Sequence, residues 1–67
     1  MIRYFVLRYY DDCSDMYLLG KYGHRVINLV DDGYKTKRAA EILCLKKSLI
    51  SESLGRGSRF KVVSLVI

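Results

Sequence analysis

The residues of this chain that could do catalytic or metal chemistry are few and lie far apart. His24 is the only histidine, and the two cysteines, Cys13 and Cys44, are not spaced as zinc ligands are. The acidic cluster at 11–15 lacks the alternating ligands and the glycine of a calcium loop. No nucleophile–base–acid arrangement is visible, because a catalytic base would have to be His24 or an isolated carboxylate. We therefore expect no enzymatic activity, no catalytic residue, no bound metal or cofactor and no small-molecule substrate.

The charged residues point instead to the binding of an anionic partner. The chain carries a formal net charge of +5. Residues 1–34 hold four lysines and arginines against five aspartates, whereas residues 35–67 hold eight against two glutamates. A small domain whose positive excess lies in one half presents a basic face, and nucleic acid is the commonest partner of such a face. On charge alone, an acidic protein surface and membrane headgroups are alternatives.

The length of the chain limits the size of its core, and its composition indicates the cellular compartment. Sixty-seven residues form one domain, which buries only about 60% of the surface of its unfolded chain. A second copy would complete so small a core, so we expect a homodimer. No apolar run is long enough to span a membrane, the first residues lack a signal-peptide layout, and two cysteines are too few for a disulfide scaffold. We therefore expect a cytoplasmic protein that is neither secreted nor bound to a membrane.

Residue periodicity and helix breakers predict five elements. These are a strand at 2–10, helices at about 21–32, 36–44 and 47–55, and a strand at 59–66. The residues at 11–15 predict a turn, and those at 16–20 fit either a short strand or the start of a helix. Gly33 suits the left-handed conformation after the first helix, and Thr36 suits the N-cap of the second.

Residues 25–54 carry the most specific pattern, RVINLVDDGYKTKRAAEILCLKKSLISESL. This segment resembles the tri-helical helix-turn-helix units of transposases, resolvases and many bacterial regulators, and AAEILCLKKSLISESL is similar to an element of LysR-type regulators. The resemblance implies an α+β fold, a three-helix helix-turn-helix flanked by N-terminal and C-terminal β-strands, like a winged helix. In that arrangement the core between the second and third helices is filled by Leu43, Leu45, Ile50 and Leu54.

The resemblance also implies a site for double-stranded DNA centred on the third helix. Such a helix enters the major groove with its N-terminal residues against base edges. The residues expected on its exposed side are Lys46, Lys47, Ser48, Ser51 and Glu52. Phosphate contacts are expected from Lys35, Lys37 and Arg38 near the second helix, and from Arg56 and Arg59 before the last strand. The alternative for the last two is simple solvation.

The last strand is apolar on both faces, which is unusual at the surface of a small protein. Alternation places Phe60, Val62 and Val66 on one face and Val63, Leu65 and Ile67 on the other. One face can cover the helices, and the other is expected to form the interface of the homodimer. The alternative is pairing with the strand at 2–10 and partial exposure.

Two functions are consistent with these features. The first is a small non-enzymatic DNA-binding protein, a transcriptional regulator or a recombination or architectural factor of the kind that phages and mobile elements encode. The second is a protein–protein interaction module, such as a phage-encoded inhibitor of a host complex, whose basic face docks on an acidic or nucleic-acid-binding surface. Salt-sensitive affinity for duplex DNA distinguishes the two.

Overall fold

A computed structural model describes residues 1–11 and 15–67 of the chain. Its elements are β1 at Ile2–Tyr9, β2 at Tyr17–Leu19, α1 at Leu29–Asp32, α2 at Lys37–Leu54 and β3 at Arg59–Val66. Both predicted long strands are present, and the segment at 16–20 forms a strand rather than a helix. The turn predicted at 11–15 includes residues 12–14, which lie outside the described residues.

β1 is the central strand of a three-stranded antiparallel sheet in the order β2-β1-β3. It pairs with β3 from its first residue to its last, whereas β2 pairs only with its second half. Beside the first half of β1 lies Tyr34, which exchanges two backbone hydrogen bonds with Tyr4, at 2.9 and 2.8 Å. β3 thus pairs with β1, which was the alternative considered for its two apolar faces, and it forms one edge of the sheet.

α2 covers one face of this sheet. The residues of the core are Val6, Leu19 and Ala40, surrounded by Tyr4, Tyr17, Tyr34, Leu43, Cys44, Phe60 and Val62. Alternation along β1 places Phe5 on the opposite face, where it is also fully buried. A Cβ atom on Gly33 would lie 2.8 Å from the Phe5 ring, so only glycine fits there. Gly33 has φ −77°, so the predicted left-handed conformation is wrong and the glycine is needed for space.

The helix predicted at 21–32 is wrong except for its last four residues, which form α1. The preceding residues run along the outer edge of β2, where the Val26 N–H donates to the Leu18 carbonyl oxygen at 2.9 Å. Gly23 has φ 75°, which a right-handed helix does not contain. The side chain of Asn28 caps the first turn of α1. Strand-edge pairing therefore replaces most of the predicted helix.

The helices predicted at 36–44 and 47–55 are one continuous helix, so the three-helix helix-turn-helix is wrong. α2 has 18 residues and runs through the position of the expected turn. Residues 44–46 are Cys-Leu-Lys, without the glycine or proline that would interrupt a helix locally. The fold remains α+β, but with one long helix on a three-stranded sheet and one short helix beside it.

Both ends of α2 have well-formed caps. The Thr36 hydroxyl oxygen accepts a hydrogen bond from the Ala39 N–H at 3.3 Å, which confirms the predicted N-cap. Gly55 follows the helix with φ 65°, and its N–H donates to carbonyl oxygens of the last turn. These caps hold α2 at a defined length across the sheet.

Candidate functional site

α2 has large apolar side chains on the face that points away from the sheet. Ile42, Leu45 and Leu49 are 48%, 62% and 56% exposed. Steps of three and four residues place these side chains in one row along the helix. The row lies opposite Ala40 and Cys44, which pack on the sheet. We call Ile42, Leu45 and Leu49 the α2 stripe.

Charged side chains border the α2 stripe. They are Arg38, Glu41, Lys46 and Glu52, all exposed. Helix geometry places Arg38 one turn before Ile42, with Lys46 on one side of the row and the two glutamates on the other. Neither ion pair found among the described residues involves a residue of α2. The charges around the stripe are therefore available to a partner.

A second apolar strip on α2 lies beside the α2 stripe, and its residue Ile50 lines a hollow together with Tyr17 and Leu19 of β2. Ile50 and Leu54 lie there and are more than half exposed. The prediction that Leu45, Ile50 and Leu54 fill a core between two helices is wrong, because the two helices are one. Of that predicted set, Leu43 alone packs against the buried core.

The residues predicted to read DNA bases do not share one exposed surface. Ser51 is buried, and its hydroxyl donates to a carbonyl oxygen just before β3 at 3.1 Å. Lys47 and Ser48 are half-buried on the sides of α2 that face the sheet. Lys46 and Glu52 are exposed, but they lie on opposite sides of the α2 stripe. α2 therefore offers no polar face of the kind that was predicted to enter a major groove.

The residues predicted to hold phosphates lie in two places. Lys35, Lys37 and Arg38 are exposed together around the start of α2. Arg56 is exposed in the connection after α2, and Arg59 forms an ion pair with Asp11, with Nη2 and Oδ2 3.3 Å apart. Part of the Arg59 charge is therefore compensated within the chain, and the free basic cluster is the one at 35–38.

The described part of the chain contains no arrangement typical of a catalytic or metal centre. No three of its histidine, cysteine, aspartate and glutamate side chains lie together as metal ligands would. Burial raises the pKa of the Cys44 thiol, so this group stays protonated at neutral pH and is a poor nucleophile. A hollow of about 640 Å³ beside the end of α2 is lined by two carboxylates, Asp11 and Glu52. Asp11 forms an ion pair with Arg59, so the two carboxylates do not act as a pair there.

The residues predicted to form a dimer interface occupy both faces of β3. Phe60, Val62, Val63 and Leu65 are half-buried, and Val66 and Ile67 are exposed. Phe60 and Val62 pack under α2, whereas Val63 and Leu65 lie on the face that α2 does not cover. Val66 lies on the same face as Phe60 and Val62, but α2 does not cover it, and it is 83% exposed.

Sequence reasoning missed the α2 stripe because it assigned Leu45 to the core. A signal was present, since large apolar residues occur at helical spacing on two different faces of 37–54. A helix can bury only one of those faces against a single sheet.

No family model, curated protein or solved structure matches this chain. Neither described helix is long and apolar enough to cross a membrane. The candidate site therefore follows from the geometry. It is an exposed row of aliphatic side chains with a charged border on a capped helix, a surface typical of protein–protein contacts.

Proposed function

We propose that this protein is a non-catalytic binding module that docks another protein on the α2 stripe. The observation that carries the proposal is the exposure of Ile42, Leu45 and Leu49 on a helix already held by the sheet. Contiguous exposed aliphatic side chains are unfavourable in water, and burial stabilises them by up to about 1.5–3 kcal/mol each. A preformed helix also loses little conformational entropy when it binds.

The spacing and charge of this surface define the chemistry of the partner. Anchors at steps of three and four residues fit an apolar groove, as amphipathic helices do. The border of the row carries Arg38 and Lys46 as well as Glu41 and Glu52, with Lys46 on one side and the two glutamates on the other. We therefore propose a partner whose groove is apolar and whose rim is acidic beside Lys46 and basic beside the two glutamates, because opposite charges accelerate association and exclude other partners.

Binding to duplex DNA is a second candidate, favoured by the exposed basic cluster at 35–38. This candidate no longer includes a reading helix at 47–55. Binding through Lys35, Lys37 and Arg38 alone would be to phosphates, with little dependence on base sequence and a strong dependence on salt.

Site-specific photo-crosslinking in the cells that make the protein tests the docking proposal. The photoreactive residue p-benzoylphenylalanine replaces Leu49 on the stripe or, as a control, Ile27, which is an aliphatic residue 96% exposed outside α2. We expect a discrete crosslinked protein from position 49 that position 27 does not give. The purified partner should bind the wild type and Ile27→Lys equally, and Leu45→Lys or Leu49→Lys about tenfold or more weakly.

The same variants separate the two candidate functions. Equal crosslinking from positions 49 and 27 would contradict docking on the stripe. Duplex binding that weakens steeply with salt, survives Leu49→Lys and is lost when Lys35, Lys37 and Arg38 become alanine would support DNA as the partner instead.

A further inference from the structure

β3 presents a free edge of eight residues. On the opposite side of the sheet, the backbone at 25–26 runs along β2, and Val26 donates to Leu18 there. Among the described residues, no backbone group bonds to the outer edge of β3. Natural sheets guard such edges with proline, bulges, lysines and other charged side chains. β3 has no bulge and no proline, because its ladder with β1 is regular and the chain contains no proline. Its charged side chains, Arg59 and Lys61, both lie in its first half, and residues 62–66 carry no charge.

The hydrogen bonds to β1 identify which backbone groups of β3 are free. Ile67 and Met1 exchange two hydrogen bonds, at 2.8 and 3.0 Å. In an antiparallel ladder such pairs alternate, so the odd-numbered residues of β3 bond to β1. Tyr4 lies opposite Ser64, but its N–H and C=O groups both bond to Tyr34. They are therefore not bonded to β3, which agrees with this assignment. The N–H and C=O groups of Phe60, Val62, Ser64 and Val66 therefore point away from the sheet.

We infer that a second copy of this chain pairs with β3 in an antiparallel register centred on Val63. Phe60 then lies opposite Val66 of the second copy, and Val62 opposite Ser64. These are the residues with free backbone groups, and the ladder gains about eight hydrogen bonds. The two sheets become one of six strands. The inference goes beyond the docking proposal and does not depend on it.

The side chains favour this register over the one centred on Val62. A centre on Val63 places Lys61 opposite Leu65 of the second copy, and Arg59 opposite Ile67. A centre on Val62 would place the two Lys61 side chains on a diagonal about 7–8 Å apart, where like charges repel. The register centred on Val63 also gives the exposed Val66 an apolar neighbour, Phe60 of the second copy.

The symmetry of this pairing limits the assembly to two chains. Antiparallel strands related by a two-fold axis perpendicular to the sheet keep the same face up, so both α2 helices lie on one side. The outer edge of β2 is already paired by the backbone at 25–26, so no further copy adds there. Because α2 packs more against β3 than against β1, the pairing brings the two α2 helices side by side across the axis, and each α2 stripe points away from the joined sheet.

A disulfide trap tests the register directly. In the background Cys13→Ser with Cys44→Ala, we compare Val63→Cys with Leu65→Cys, which lies two residues further on the same face. Position 63 meets itself across the axis as a pair without backbone hydrogen bonds, whose short Cα separation of about 4.5 Å suits a disulfide. We expect mild oxidation to link Val63→Cys into a covalent dimer and to leave Leu65→Cys unlinked. Equal linking of both, or none, would overturn the register.

The mass in solution tests the edge itself. At tens of micromolar the wild type should have about twice the chain mass of 7.8 kDa. Ser64→Pro removes an N–H that bonds nothing in the chain, so we expect an unchanged fold by circular dichroism and a dimer Kd raised about tenfold or more. A monomeric wild type overturns the inference. Dimerisation that survives Ser64→Pro and is lost in Leu45→Lys also overturns it, because the stripe would then be the dimer contact.

These outcomes are separate from the test of docking. A monomer that still gives the discrete crosslink from position 49 refutes the β3 pairing and leaves the docking proposal in place. A dimer trapped through Val63→Cys that gives no such crosslink supports the β3 pairing and refutes the docking proposal.

Discussion

At the scale of the residue, the side chain of Asp32 holds the loop before α2 through hydrogen bonds to its backbone. Its carboxylate oxygen accepts hydrogen bonds from the N–H groups of Ile27 and Asn28, at 2.9 and 3.1 Å. These bonds, that from Asn28 foremost, lower the pKa of Asp32 below its usual value, because they stabilise the charged form. Gly33 follows directly and approaches Phe5 too closely for any larger residue. Two adjacent residues thus seat the loop on the sheet.

The lowered pKa of Asp32 predicts a loss of stability in acid. A group whose pKa is lower in the folded state stabilises the fold above its unfolded pKa, near 3.9, and this contribution is lost as the pH falls through the folded pKa. We therefore expect Asp32→Asn to lower the urea midpoint at pH 7 but to change it less at pH 2–3. Asp31→Asn is the control, because the Asp31 carboxylate accepts no hydrogen bond from the described residues. Equal effects of Asp32→Asn at both pH values would contradict the prediction.

At the scale of elements, α2 determines what the molecule can present. Its length comes from two caps and from the absence of a helix breaker between them. Its inner face consists mostly of small residues, with Ala40, Cys44 and Ser51 against the sheet and Leu43 beside them, whereas its outer face carries the α2 stripe. An ordinary surface helix buries most of its large apolar residues, and α2 leaves most of them exposed. The same helix therefore supports the fold and offers an apolar row to a partner.

The continuity of α2 at Leu45 can be tested by a pair of substitutions. Leu45→Gly and Leu45→Ala remove nearly the same exposed side chain and differ in helix propensity. We expect the glycine variant to be less stable than the alanine variant by about 1 kcal/mol, since the site is in a helix interior. Urea unfolding followed by circular dichroism measures the difference. A glycine variant as stable as the alanine variant would indicate a turn at this position.

At the scale of the whole molecule, one sheet and one long helix leave much apolar surface uncovered. Phe5 and Val6 are the largest fully buried side chains, so the core is small. The free edge of β3 and the α2 stripe are the two surfaces that association would complete. The first suits a second copy of the chain, and the second suits a partner whose apolar groove carries charges opposite to those that border the stripe.

Pairing through β3 makes the melting temperature depend on protein concentration. A ligand or subunit that binds only the folded chain stabilises it by mass action. For a domain of this size we expect the melting temperature to rise by about 3–6 °C for each tenfold increase in concentration above the dimer Kd. Calorimetry from micromolar to millimolar concentrations measures this rise. Ser64→Pro should show no rise over the lower part of that range, and a wild type with a constant melting temperature would argue against pairing.

The sequence by itself determined the features that depend on neighbouring residues. Alternating β-branched and aromatic side chains predicted β1 and β3, and Thr36 predicted the start of α2, because strand propensity and capping act over a few residues. The prediction of a helix at 21–32 was wrong because backbone pairing along β2 competes with helix formation. That pairing joins residues that only the fold brings together.

Residues 37–54 contain no helix breaker, but only the tertiary structure decided that they form one helix on a sheet and which face of that helix is exposed. Apolar residues occupy both faces of α2, and the local pattern fits equally a helix broken at 45–46 and packed on itself or a single helix on a sheet. The sheet covers one face, so Ala40 and Cys44 are drawn inward and Leu45 and Leu49 are left in water. Burial is a property of the contact between elements, and a pattern within one element cannot specify it.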